Sequence, residues 1–162
     1  MEKEPIKVGM AEMQTALNPD RLITIGLGSC VGVCLWDPIS KIGGMVHVML
    51  PDSTQGRNVQ NKAKYADSGI IQLIEYMTKL GSRKTRIIAK IAGGAQMFNF
   101  SQKNEILRIG ERNVQAVKKV LNAEGIRITA EDTGGTYGRT IVFSTIDAQL
   151  LIRSVNKNTI TL

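Results

Sequence analysis

The chain has one histidine, His47, and two cysteines, Cys30 and Cys34. Cys30 closes the glycine-rich segment Gly26-Leu27-Gly28-Ser29-Cys30 and opens the apolar run that ends at Trp36. A thiol beside an imidazole can hand its proton to the ring, pair with it as an ion pair, and attack a carbonyl carbon. The ring can then return the proton to a leaving amine. A free thiol, with a pKa of ~8.5, is only a few per cent thiolate at neutral pH, so the neighbouring base decides its reactivity. A third group must orient the ring. Thr24 offers a hydroxyl that can accept from the second ring nitrogen, without the charge that a carboxylate would add. The Cys30 amide can donate to an oxyanion, and glycines at 26, 28 and 32 let a substrate backbone approach closely.

Other roles for these residues are limited by geometry and count. Residues four apart on an extended strand lie ~13 Å apart, and a disulfide needs Cα atoms within ~7 Å, which argues against a Cys30–Cys34 bridge. Zinc takes three or four ligands. Two cysteines and one histidine reach three at most, and the strand separates the cysteines, so neither a metal nor another cofactor is expected. An inert core cysteine is the commoner fate of such a residue, and spacing alone leaves core and nucleophile both open for Cys30. Cys34 reads as a small core side chain, and Trp36 and Met49 as core or rim.

The elements that must position these groups follow from pattern. Leu22–Ile25, Val31–Trp36 and Gly43–Leu50 read as strands, with a turn signal over Asp37–Lys41. The turn centres near Ile39, so residues pair when their numbers sum to about 78. That sets Cys30 opposite Val48, within a residue of His47, and Cys34 opposite Gly44. The polar stretch Asp52–Asn61 reads as a mobile loop. Apolar residues at helical spacing predict a helix from Asn61 to Leu80, stopped by Gly81, and a second over Asn113–Ala123, stopped by Gly125. Asn113 reads either as a structural residue or, the commoner case, as an N-cap or first-turn residue. Arg86–Ile91, Ile126–Glu131, Arg139–Ser144 and Ala148–Val155 read as further strands. Strands outnumber helices and begin with a hairpin. The expected fold is therefore α+β: a layered sandwich with a mixed, largely antiparallel sheet and helices packed outside.

Composition sets the frame. With 162 residues, 43% apolar and 22% charged, one domain over 1–162 with a proper core is expected, and disorder is not. No apolar run reaches the ~18 residues of a membrane span. The charged N-terminus is not that of a signal peptide, so no membrane insertion, a cytoplasmic location and reduced thiols are expected. The net charge is +7, yet only Arg83, Lys84 and Arg86, and the pair Lys118-Lys119, cluster. Aromatics are few and no nucleic-acid motif is present, so nucleic acid is not an expected partner. A solvated basic surface accounts for the charge, and an acidic protein partner fits it as well.

Together, the motifs GSCVGVCLWD, GGMVHVMLP, KYADSGIIQLI, AKIAGGAQMF, IGERN and DTGGTYGR resemble the CheD family of bacterial chemoreceptor glutamine deamidases. The likeness runs in order over about residues 7 to 155, with no departure at the positions that matter most. The resemblance implies a Cys-His-Thr triad falling on Cys30, His47 and Thr24. It implies hydrolysis of selected glutamine side chains on methyl-accepting chemotaxis receptors to glutamate and ammonia, with backbone amides near Cys30 holding the oxyanion. It also implies CheC, a phosphatase of the phosphorylated response regulator, as a partner in adaptation, and a layered α/β fold related to deamidating toxins. Ser29 and the Gly93-Gly94 and Gly134-Gly135 loops are candidates for shaping the cleft, and tight turns with positive φ explain the glycines equally well. The alternative is a receptor- or CheC-binding adaptation module whose Cys-His site is not used. A cysteine protease is a third, weaker reading.

Overall fold

A computed structural model describes residues 3–55, 60–97 and 108–162. In chain order the elements are β1 (Ile6–Lys7), β2 (Met13–Leu17), β3 (Arg21–Leu27), β4 (Val31–Trp36), β5 (Ile42–Val48), α1 (Ala66–Leu80), β6 (Ile88–Gly93), α2 (Ile109–Ala123), β7 (Arg127–Thr133), β8 (Arg139–Ser144), β9 (Leu150–Ser154) and β10 (Ile160–Thr161). The strands form two sheets, ordered β1-β3-β8-β9-β10 and β2-β5-β4-β6-β7. Each is antiparallel except for one parallel pair, β1 with β3 and β6 with β7. The layered α+β sandwich with helices outside is thus borne out, built on two mixed sheets. Among the described residues, no helix is long and apolar enough to cross a membrane.

The second sheet is the middle layer, and its sequence shows why. Strand residues alternate faces, and β4 is buried at Val31, Gly32, Val33, Cys34 and Leu35 alike, so both of its faces are covered. Val31, Val33 and Leu35 pack with Ile42, Val46 and Val48 of β5 against Ile70, Leu73, Ile74 and Met77 of α1 and Val117 and Leu121 of α2. Each such apolar side chain contributes about 1.5–3 kcal/mol when fully buried. The alternate residues Cys34 and Met45 face the first sheet, among Leu22, Leu27, Ile141, Phe143 and Ile152. This parity puts His47, between Val46 and Val48, into the space between the sheets.

The hairpin register differs by one residue from the expected sum. Val31 pairs with Val48, Gly32 with His47, and Cys34 with Met45. The cause lies in the turn. Asp37 donates its N–H to Ile42 O (3.0 Å) and accepts from Lys41 N at its carbonyl (2.8 Å), which leaves a four-residue loop centred between Ile39 and Ser40. The buried Asp37 carboxylate fixes that loop by accepting from Ile39 N (2.9 Å), Ser40 N (3.3 Å) and the Arg86 guanidinium (2.8 Å). Burial raises its pKa, but those hydrogen bonds outweigh it and hold the carboxyl well below its usual range.

Other boundaries moved for local reasons. Tyr65 is extended and bridges to Leu50, so α1 starts at Ala66 and Lys62–Lys64 forms a separate 3-10 turn. Helix α2 starts four residues before Asn113 because Gly110 lets the helix approach the Gly94-Ala95 backbone; a Cβ there would meet Gly94 O at 2.6 Å. The expected loop over Asp52–Asn61 carries a 3-10 turn at Ser53–Gln55, and its residues 56–59 lie outside the described residues, as does Phe98 of the AKIAGGAQMF motif. Strands β1, β2 and β10 were not expected; two of them are two residues long, and β2 reads MQTAL, with weak alternation.

Gly93, at the end of β6, has φ +116°, and a Cβ added there would run into the Cys30 carbonyl oxygen. Gly93→Ala therefore combines backbone strain with a clash against main chain, and is expected to destabilise the protein by about 2–3 kcal/mol. The measurement is a urea unfolding curve, with a lower midpoint at unchanged slope.

Candidate active site

Cys30 sits where the chain leaves the first sheet at Leu27 and enters the second at Val31. In the hairpin register it falls one residue beyond the last ladder pair, on the same face as Gly32, whose partner is His47. Thiol and imidazole are thus diagonal neighbours on the inner face of the sheet, with a side-chain-free residue between them. A Cβ at Gly32 would meet Ile141 Cδ1 of the facing sheet at 2.6 Å, so a larger residue would have to push that side chain aside. Thr24 comes from β3 in that facing sheet, so it reaches His47 across the sandwich and not along one sheet.

The Thr24–His47 contact fixes the ring. Thr24 Oγ1 donates to Val8 O at 2.6 Å and lies 2.7 Å from His47 Nδ1. A hydroxyl has one proton and a carbonyl can only accept. With that proton on Val8, the hydroxyl must accept from Nδ1–H, so the neutral ring carries its proton on Nδ1 and leaves Nε2 with a free lone pair. Val8 is held in turn by its N–H to Ile23 O at 2.8 Å. The His47 backbone is fixed from the other edge: its N–H donates to Glu12 O (3.1 Å) and its carbonyl accepts from Ala11 N (3.0 Å).

Nε2 of His47 is buried and has no hydrogen-bond partner among the described residues, so the Cys30 thiol is not bonded to it in this structure. Thr24 and His47 are fully buried, whereas Cys30 is 8% exposed and is the member of the three nearest to solvent. Burial raises the Cys30 pKa, partly offset by its own backbone amide, and burial lowers that of His47 to about 4. Both groups are therefore neutral at pH 7. A neutral thiol thus stands beside a neutral base, between which a proton can pass when charge develops on a substrate. Cys34 is a free, fully buried thiol whose pKa burial also raises.

The loop before Cys30 is tied on three sides. Ala95 N donates to Gly28 O (2.8 Å), and Gly94 N to Cys30 O (2.8 Å). Asn113 Nδ2 donates to Ser29 O (3.0 Å) and Met49 O (2.9 Å). Gly93, Gly94, Gly134 and Gly135 all have positive φ, as the turn reading requires. Their two loops are joined to each other by Gly134 N to Gly93 O (2.9 Å) and Gln96 N to Gly135 O (2.8 Å). Arg139 clamps them: its guanidinium donates to Gly134 O (2.9 Å) and Asp132 Oδ2 (3.0 Å) and stacks on Tyr137.

Three contributors escaped the sequence reading. Nothing local marks the Val8 carbonyl or the Arg139 clamp. Asn113 did carry a signal: it falls four residues before Val117 and eight before Leu121, so a polar side chain lies on the buried stripe of α2.

Comparison with known proteins gives a consistent result. A family model described as CheD chemotactic sensory transduction matches residues 49–154. A protein of Lachnoclostridium phytofermentans named "Probable chemoreceptor glutamine deamidase CheD" is 56% identical over 95% of this chain and 96% of its own length. Proteins of the same name from Clostridium novyi (56% identical, 96% of each chain) and Syntrophomonas wolfei (50% identical, 93% of each) are similar along almost their whole lengths.

The ring geometry has a consequence in acid. Unfolding frees a histidine of pKa ~6.5 that takes up a proton more readily than the folded ring. Because the folded value is lower, at about 4, His47's contribution is complete above pH ~6.5 and is lost as pH falls toward ~4, by up to about 3 kcal/mol. Urea unfolding between pH 4 and 7 should show that slope in the wild type and a flatter one in His47→Gln. Long-range 15N–1H NMR at pH 7 should show His47 protonated on Nδ1, and Thr24→Val should release that preference while Thr24→Ser retains it.

Proposed function

The chain belongs to the CheD family, and on that footing we propose that it is a protein-glutamine deamidase. It hydrolyses glutamine side-chain amides of methyl-accepting chemotaxis receptors to glutamate and ammonia, acting in the cytoplasm as one domain over residues 1–162. The observation that carries the catalytic assignment is the locked imidazole. Its Nδ1–H is held by Thr24, and its Nε2, unpartnered among the described residues, shares the inner face of one sheet with the less buried of the two cysteines.

In this reading the Cys30 thiol gives its proton to His47 Nε2 as the sulfur adds to the glutamine carboxamide carbon. The carbonyl electron pair moves onto oxygen. His47 passes its proton to nitrogen, the C–N bond breaks, and ammonia leaves. Water, deprotonated by His47, then cleaves the thioester to glutamate and regenerates the thiol. Because both groups start neutral, docking of the amide drives their engagement, as often happens when resting contacts tighten on substrate. Thr24 keeps the ring in the productive tautomer. Ser29 and the Gly93-Gly94 and Gly134-Gly135 loops border the entry to Cys30. CheC is the proposed partner that links this activity to adaptation.

Receptor cytoplasmic fragments incubated with the protein should release ammonia and gain the mass of amide-to-acid conversion at selected glutamines. Cys30→Ala should abolish both, and His47→Ala should slow them by about 10²-fold or more, with receptor binding retained by both variants. Deamidation that survives Cys30→Ala would remove the nucleophile assignment and leave a binding module. Cleaved receptor chains would point to a protease.

A further inference from the structure

We propose that Asn113 is the positioning residue for an oxyanion site made by the backbone amides of Ser29 and Cys30. The inference rests on the reading of Cys30 as nucleophile and goes beyond it, to what holds the developing negative charge.

The carbonyls of Gly28, Ser29 and Cys30 all accept hydrogen bonds from the body of the protein: from Ala95 N, Asn113 Nδ2 and Gly94 N, at 2.8, 3.0 and 2.8 Å. Among the described residues, the Ser29 amide donates to no acceptor, and the Cys30 amide faces only its own sulfur. A trans peptide points its C=O and N–H in opposite directions. The peptide between Gly28 and Ser29 has its oxygen on Ala95, so its N–H points away from the body. The peptide between Ser29 and Cys30 has its oxygen on Asn113, so the Cys30 N–H points away too. Two adjacent amides beside the sulfur are thus left open, the arrangement that accepts charge on a carbonyl oxygen.

Among the described residues, Asn113 alone fixes the second of these peptides. Its other amide proton goes to Met49 O at 2.9 Å, which continues the hairpin one step past the Val31–Val48 pair. The carboxamide therefore spans the open mouth of the hairpin, holding the strand that leads to the sulfur beside the strand that carries the imidazole. The side chain is fully buried, and its Oδ1 has no partner among the described residues. The orientation of the carboxamide is therefore set by its two donor contacts, to Ser29 O and Met49 O. The oxyanion forms twice in the reaction, at the amide and again at the thioester, and a loop shift of ~1 Å costs about 10²-fold.

The test uses the full chain with Asn113→Ala and, in case that variant folds poorly, Asn113→Ser, which keeps one donor on a shorter arm. Three quantities are measured: deamidation kcat and KM on receptor fragments, inhibition by a peptide bearing a glutamine-derived aldehyde, and the rate of Cys30 alkylation by iodoacetamide. Alkylation attacks a saturated carbon and builds no oxyanion. The expected result is a fall in kcat of about 10–100-fold with KM within about twofold. Aldehyde affinity should weaken by a similar factor, while the alkylation rate stays within about twofold of the wild type. A kcat near that of the wild type, or alkylation that falls together with kcat, would overturn the proposal, the second by showing a merely structural role. Loss of the nucleophile reading has its own signature, undiminished deamidation by Cys30→Ala.

Discussion

Thr24 has one hydroxyl proton and two neighbours placed to receive it, the Val8 carbonyl and the His47 ring. The carbonyl cannot give a proton back, so the ring has to be the donor. That single constraint sets which imidazole nitrogen is basic, and the chemistry assigned to the site follows from it. It also explains why a neutral threonine suffices where many cysteine hydrolases use a carboxylate or carboxamide. The ring is buried and starts uncharged, so the orienting group has no standing positive charge to stabilise. It has only to choose a tautomer.

Burial of this pair has two effects that oppose each other. It keeps the resting thiol protonated, which slows indiscriminate reaction of Cys30 with small electrophiles. It also lowers the dielectric in which a transient charge pair forms, so that fixed dipoles near the sulfur act more strongly than they would in water. The sandwich supports both effects. Cys30 is at the crossover between the layers, near enough to the surface to be reached, while the base and its orienter lie inside. The Arg139–Asp132 pair and the Gly93 and Gly134 turns it clamps brace the same end of the sandwich, and Asp37 with Arg86 braces the opposite end, at the hairpin turn.

The local elements were legible where pattern and period agree. Val31–Trp36 and Arg139–Ser144 have the bounds read from sequence, because both are short runs rich in β-branched and apolar residues. The closeness of Cys30 to His47 followed from alternation along one hairpin, with an error of one residue traceable to the four-residue loop that Asp37 organises. Thr24 was read as the ring's orienter, but the reading could not place β3 in a separate sheet, since strand order depends on pairings more than a hundred residues apart, such as Arg21 with Ser144. The Val8 carbonyl is main chain and has no signature in sequence. For Asn113 the sequence favours an N-cap or first-turn role over a structural one, because its partners, Ser29 and Met49, are brought to it only by the tertiary fold. Substrate identity came from the resemblance and the relatives, since spacing alone describes a thiol and a base and says nothing of what enters between them.

The Thr24–His47 bond joins two sheets, and the sheet that carries Thr24 draws on both ends of the chain, with β1 and β3 from the beginning and β8, β9 and β10 from the last quarter. A chain still leaving the ribosome can pair β4 with β5 and already hold a sulfur beside an imidazole. The strand that carries Thr24 is seated in its sheet by β8, through pairs such as Leu22 with Phe143 and Thr24 with Ile141, so the ring's orientation depends on a strand that the sequence sets more than a hundred residues from Thr24.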